Sequence, residues 1–220
     1  LVNEKEMRVG ITAVIAGASG QTGKQLLERI LNDKSYKRVI VLSRKSIRIS
    51  HPKLEEYITD FKEIDSLTFW PDADIFFCCI GTTIRKAGNK ENFRMVDYHI
   101  PVNLSRPCSV YSVDYYFISS MGADSGSSNF YLRTKGETEE AIMNSGVENV
   151  VIFRPSMLMG KREELRIGEM IGKVLMGVFG FMLGRYRGVS SAKVAEVMSE
   201  LGKTGEKGKR VVENWEIIGW

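Results

Sequence analysis

The run TAVIAGASGQTGKQLLERILND, residues 12–33, limits what this chain can fold into more than any other stretch. A short apolar segment (12–17) ends on Gly17, and Gly20 and Gly23 follow at three-residue intervals. Leu26, Leu27, Ile30 and Leu31 then recur at helical spacing over 21–33. Such an order reads as a buried strand, a tight turn and an amphipathic helix. Glycine serves where a backbone must take positive φ or let a ligand approach without a Cβ in the way. The helix that starts there aims its unsatisfied amides and positive dipole end at the turn, which suits a pyrophosphate. Ser19 and Thr22 add hydroxyl donors, with Gln21 beside them. Within a strand–turn–helix unit, this spacing predicts dinucleotide binding.

The same alternation continues along the chain. Strands are expected at 38–44, 56–61, 73–81, 115–120, 149–156 and 209–218, and helices at 92–108, 129–146 and 190–202. Pro101 marks a kink in the 92–108 helix. Strands separated by helices imply crossover connections and a parallel sheet covered on both faces. The expectation is an α/β, doubly wound, mostly parallel Rossmann sheet with helices on both faces. One domain spans 8–220, and residues 157–190 form a small C-terminal annex or lid over a substrate. Ligands belong outside the carboxyl ends of the strands.

Composition sets outer bounds. A net charge of +4 is too small to imply nucleic acid. Three cysteines, two of them adjacent at Cys78 and Cys79, give no disulfide framework and favour a reducing, cytoplasmic setting. Cys78 and Cys79 lie in an apolar strand, where buried structural thiols are the expected reading. No signal peptide is read, and no uncharged run reaches membrane-spanning length. The apolar stretch 167–184 carries Glu169 and Lys173; it suits a buried or partner-facing helix, compatible with a homodimer or protein partner. Two histidines, His51 and His99, give no metal site.

Two further positions bear on the ligand. At the end of the second strand, LSRKSIR places Ser43, Arg44 and Lys45 where NAD-binding folds carry a carboxylate for the ribose hydroxyl. A guanidinium there grips a phosphate, so NADP(H) is the expected cofactor. In NFYLRTKGE, Tyr131 and Lys135 are four residues apart on one helix face.

With these residues located, the chain resembles the atypical short-chain dehydrogenase/reductases, which have a Rossmann fold. TDF puts Asp60 where that family uses an aspartate beside the adenine. CCIGTT puts Ile80 and Gly81 in the cofactor-lining loop, ISSMGA supplies Ser119 and Ser120, and YLRTK is the family's Y-x-x-x-K at Tyr131 and Lys135. The runs FFCCIGTTIRKAG, SSMGAD and FRPSMLMG are most similar to the Tat-interactive-protein branch, over roughly residues 10–200. The resemblance implies NADPH binding, with Leu158 and Arg166 as late cofactor contacts. It implies a catalytic set in which Tyr131 is the acid–base, Lys135 its tuner and ribose ligand, and Ser119 (favoured over Ser120 by its spacing) the partner of the substrate oxygen. A phenol shuttles protons poorly near neutrality unless neighbouring positive charge favours its phenolate.

Three functions follow as expectations. One is an NADPH-dependent oxidoreductase of a small carbonyl or hydroxyl compound. Another is an NADP(H)-binding regulator with little or no catalysis. A third, an NDP-sugar epimerase or dehydratase, is disfavoured because about 65 residues follow Pro155.

Overall fold

The computed structural model describes residues 7–156, 158–159 and 187–220. In chain order these form β1 (Ile11–Ala16), α1 (Gln21–Asn32), β2 (Tyr36–Ser43), β3 (Leu54–Ile58), β4 (Ile75–Cys78), α2 (Ile84–Ala87) and α3 (Lys90–Arg94). Then come α4 (Ile100–Val110), β5 (Asp114–Ile118), α5 (Phe130–Met143), β6 (Val150–Arg154), β7 (Leu158–Met159), β8 (Val189–Ser190), α6 (Ser191–Thr204), β9 (Lys209–Glu213) and α7 (Asn214–Gly219). Seven strands make one sheet in the order β3-β2-β1-β4-β5-β6-β9, and every neighbouring pair is parallel. The order runs outward from β1 in both directions. It therefore opens a crevice between the carboxyl ends of β1 and β4, the place where such sheets bind ligands.

Alternation along the strands builds two separate cores. Ala13, Ile15, Val39, Val41, Phe77, Tyr116, Val151 and Phe153 face one way, onto Leu26, Leu27 and Ile30 of α1 and Val194, Val197 and Met198 of α6. Val14, Ala16, Ile40, Leu42, Phe76, Cys78, Tyr115, Phe117 and Ile152 face the other way, with Leu104 and Cys108 of α4 and Ile142 of α5. The buried hydroxyls of Tyr36 and Tyr116 donate to the carbonyls of Ser199 and Leu201, pinning α6 to the sheet.

Two expectations change. The 92–108 helix is a composite: α3 runs into a π turn, Met95–His99, and then into α4. Pro101 is the reason, as it brings no N–H to the carbonyl of Asp97 four residues back. That carbonyl instead faces the Thr138 hydroxyl of α5 at 2.9 Å. The expected strand 209–218 stops at Glu213, where a capping box starts α7. Glu213 caps the helix, and its own amide donates to Glu216 Oε2 at 2.9 Å. The other expected elements hold to within a few residues. Of the expected annex, residues 157 and 160–186 lie outside the described residues, and so does almost all of the apolar 167–184 stretch. Residues 158–159 and 189–190 pair as two parallel strands.

Thr138 Oγ1 also lies 2.7 Å from the Thr134 carbonyl and is fully buried, so its one proton is shared between two acceptors. Thr138→Val is expected to lower the unfolding free energy by about 1–3 kcal/mol by orphaning the Asp97 carbonyl, with Thr138→Ser staying near the parent. Urea titrations of the two variants check this; equal stability of Val and parent would refute it.

Candidate functional site

The glycine turn closes over the next strand. Gly17 has φ +87°, and a Cβ there would lie 2.6 Å from the Cys79 backbone; a Cβ on Gly23 would meet the Gly17 carbonyl at 2.2 Å. Both positions exclude any other residue, so the turn lies flat between β1 and the loop after β4. Cys79 N–H donates to the Ala16 carbonyl at 2.8 Å and holds that loop in place. Gly20 caps α1 without a side-chain hydrogen bond, which leaves the first-turn amides uncapped. Thr22 is buried there with no partner for its hydroxyl among the described residues. Ser19 and Gln21 are exposed beside it. An uncapped helix start with an orphan hydroxyl fits a bound phosphate.

The loop after β4 carries Ile80 and Gly81 to the far side of the crevice. Ile80 packs on the second core, and the Cβ position of Gly81 is 3.5 Å from Asp97 Oδ1 and 3.9 Å from Lys135 Nζ. Lys135 Nζ is 2.8 Å from Asp97 Oδ1, and both side chains are buried. Asp97 Oδ2 accepts the Thr82 N–H at 2.8 Å, and the Phe117 ring centre is 5.2 Å from the ammonium. The π turn is what lets Asp97 reach inward from its helix. Burial works against the Lys135 ammonium, but Asp97 together with Tyr131 and Cys78 outweighs it and raises the lysine above its ordinary value.

Tyr131 stands in the first turn of α5, where Asn129 Oδ1 accepts the Tyr131 amide at 2.9 Å and caps the helix. Its ring is half-buried, 5.7 Å from the Phe93 ring. Ser119 follows β5, is buried, and has no hydrogen-bond partner for its hydroxyl among the described residues. Ser120 is less buried, and its hydroxyl reaches the Met121 carbonyl at 3.4 Å. A buried hydroxyl without a partner is costly unless a ligand satisfies it.

The remaining expected residues lie apart from this centre. Arg44 and Lys45 are exposed after β2, and among the described residues neither forms an ion pair. Asp60 is exposed after β3, where Lys62 engages it through its N–H and, at 2.9 Å, its Nζ. The side chain of Leu158 and the whole of Arg166 lie outside the described residues. Cys78 is buried, as expected of a structural thiol, and burial pushes it up to about 11.

Sequence reasoning missed Asp97. An acid in a polar helix has no distinguishing local pattern, and the available signal was Pro101, which marks where the helix cannot stay regular. Removing Asp97 strands a buried cation, so Asp97→Ala is expected to cost about 3–5 kcal/mol in a urea titration. A loss below about 1 kcal/mol would mean that water reaches Lys135. Stability is also expected to fall at alkaline pH. Lys135 contributes fully below its ordinary 10.5, and that contribution is lost as pH rises through its raised native value. Cys78 ionises near 9.0 when unfolded and at about 11 when folded, so the unfolded chain gains from pH 9 upward. Urea midpoints measured from pH 8 to 11 should decline, through Cys78 first and Lys135 only at the upper end; a flat profile would contradict the Cys78 assignment.

Known proteins share this chain's sequence pattern and fold. The model of the NAD dependent epimerase/dehydratase family matches residues 13–179. Protein HTATIP2 of Rattus norvegicus is 32% identical over 168 residues, covering 74% of this chain and 69% of its own. Protein fmp52, mitochondrial, of Aspergillus fumigatus is 34% identical over 176 residues, covering 76% and 74%. Among solved structures, a short chain dehydrogenase from Leptospira borgpetersenii with bound NAD+ superposes with a TM-score of 0.70 at 17% identity, covering 99% of this chain and 96% of that one. That likeness shows the fold. The chain belongs to the NAD dependent epimerase/dehydratase family of Rossmann-fold proteins, near the HTATIP2 branch of the atypical short-chain dehydrogenase/reductases.

Proposed function

We propose that the protein is an NADP(H)-dependent oxidoreductase acting on a small carbonyl or hydroxyl compound. The observation that carries this reading is the Ser119 hydroxyl, buried after β5 and without a partner among the described residues, in a fold whose loop after β4 brings Gly81 to Lys135. A ligand oxygen or nitrogen at that place would complete it. The bound nicotinamide would supply or accept the hydride. Gly17, Ser19, Gly20, Gln21, Thr22 and Gly23 would hold the pyrophosphate. Ile80 and Gly81 would line the cofactor through their backbone, and Asp60 would face the adenine. Arg44 and Lys45 supply positive charge for a 2′-phosphate, which is what favours NADP(H) over NAD(H). Leu158 and Arg166 would complete the late contacts.

In the reaction itself, Ser119 would hydrogen-bond the substrate oxygen, and Tyr131 would move a proton at its phenolic oxygen. Lys135 would bind the ribose hydroxyls. Its field on neighbouring groups is that of an ion pair with Asp97 rather than of a lone ammonium, so positioning takes precedence over tuning. Residues 157–190 would form the annex that selects the substrate, within a single domain over 8–220.

A second reading, a dinucleotide-responsive regulator, draws support from the same pair, because Asp97 already engages the lysine that catalysis would use. No helix among the described residues is long and apolar enough to cross a membrane. Three unpaired cysteines favour a reducing compartment, and the word mitochondrial in the fungal relatives' names widens the cytoplasmic expectation to that.

The test is a titration with NADPH and NADH, followed by turnover of a carbonyl panel. NADPH is expected to bind about tenfold or more tightly than NADH, with Arg44→Asp removing the difference. Tyr131→Phe should abolish turnover and leave NADPH binding intact. Equal affinities would sink the cofactor choice. Binding without turnover of any substrate class, or turnover that survives Tyr131→Phe, would move the assignment away from this catalytic reading.

A further inference from the structure

The loop between β2 and β3 is fastened from below by a carboxylate that the proposed function does not use. Glu56, on β3, is level with Val41 of β2 in the parallel ladder. Its Oε1 accepts the Ser43 hydroxyl at 2.9 Å and the Ile47 N–H at 2.7 Å; its Oε2 accepts the Ser46 hydroxyl at 2.8 Å. Arg44 and Lys45 lie between these anchored points and are exposed. The chain turns away just beyond them, at Arg48, with φ +56° and its amide on Ser46 Oγ at 3.2 Å.

We propose that Glu56 is the positioning residue of the loop that reads the 2′ end of the cofactor's adenosine ribose. It fixes residues 43, 46 and 47 so that Arg44 and Lys45 are presented together to a phosphate, and it keeps its own charge turned into the loop. The inference rests on the NADP(H) reading above and extends it to the residue that builds the selectivity.

A carboxylate beside this loop has an opposite use, accepting a hydroxyl of an unphosphorylated ribose. The geometry favours the anchoring role. Both Glu56 oxygens already accept protein donors, three in all, which leaves one acceptor position, on Oε2, for a ribose hydroxyl. Two serine hydroxyls and an amide spread the negative charge over the loop. The Glu56 partners are Ser43, Ser46 and Ile47, and among the described residues neither Arg44 nor Lys45 forms an ion pair with it. The Ile47 amide and both hydroxyls also outweigh burial and hold the Glu56 carboxyl below the usual carboxylate range, so the anchor stays ionised near neutrality.

The experiment measures dissociation constants for NADPH and NADH in the unmodified protein, Glu56→Ala and Glu56→Gln. Glutamine can accept from Ser43 and Ile47 through Oε1 and donate to Ser46 through its amide. Glu56→Ala is expected to weaken NADPH about tenfold or more while changing NADH less than about threefold, and Glu56→Gln to restore NADPH to within about threefold. Without cofactor, hydrogen exchange at the Ile47 amide should quicken in Glu56→Ala and return towards the parent rate in Glu56→Gln. An unchanged NADPH-to-NADH ratio in Glu56→Ala would overturn the proposal. So would unchanged Ile47 exchange, or a Glu56→Gln variant that gains NADPH affinity because a repelling charge has gone. An unmodified protein that binds NADH at least as tightly as NADPH fails the cofactor reading itself, and this inference falls with it.

Discussion

A charged pair held away from water dictates much of the architecture around it. Lys135 and Asp97 lie 2.8 Å apart in a buried setting, where either charge alone would be costly. The protein meets this demand by distorting a helix. The π turn at Met95–His99 carries Asp97 inward, and Pro101 removes the amide that would otherwise claim the Asp97 carbonyl. Thr138 and Thr82 then satisfy what is left, from α5 and from the loop after β4. Gly81 is small enough to bring its backbone against both charges. Three stretches of chain, the composite helix, α5 and the loop after β4, are tied together by one electrostatic requirement.

The crevice has two ends of different character. At the end near Lys135 and Ser119 the side chains are buried, and Asp97 holds the lysine. The end near Arg44 and Lys45 is exposed, and its order comes from hydrogen bonds to Glu56 rather than from burial. Chemistry that depends on geometry to a fraction of an ångström suits the first setting. Recognition of a doubly charged group by long cationic side chains suits the second, because those chains need room to reach a phosphate.

The parts legible in the sequence were those governed by local rules. The glycine turn obeys its spacing and its place between a strand and a helix. The strands show their apolar runs, and Tyr131 and Lys135 share a face because of helical periodicity. Asp97 and Glu56 escaped because their roles depend on partners from other elements, and each taken alone looks like a solvated acid. Pro101 was read as a kink, and that was correct as far as it went; the consequence, a carbonyl handed to Thr138, needed the packing of α5. The capping box at Glu213 and Glu216 was a readable signal masked by the apolar Val211 and Val212 before it and Ile217 and Ile218 within it.

The strict alternation of the strands has a genetic consequence. Phe77 belongs to the layer with α1 and α6, and its neighbours Phe76 and Cys78 belong to the layer with α4 and α5. The sheet's backbone separates these two sets of side chains. Cavity-forming changes on opposite sides share few contacts, so their effects on stability should combine additively, while changes on one side should show epistasis. A substitution in the layer containing α1 and α6 is thus expected to leave the Lys135 pocket little changed, whereas one in the layer beneath α5, which includes Phe117, is expected to couple to it.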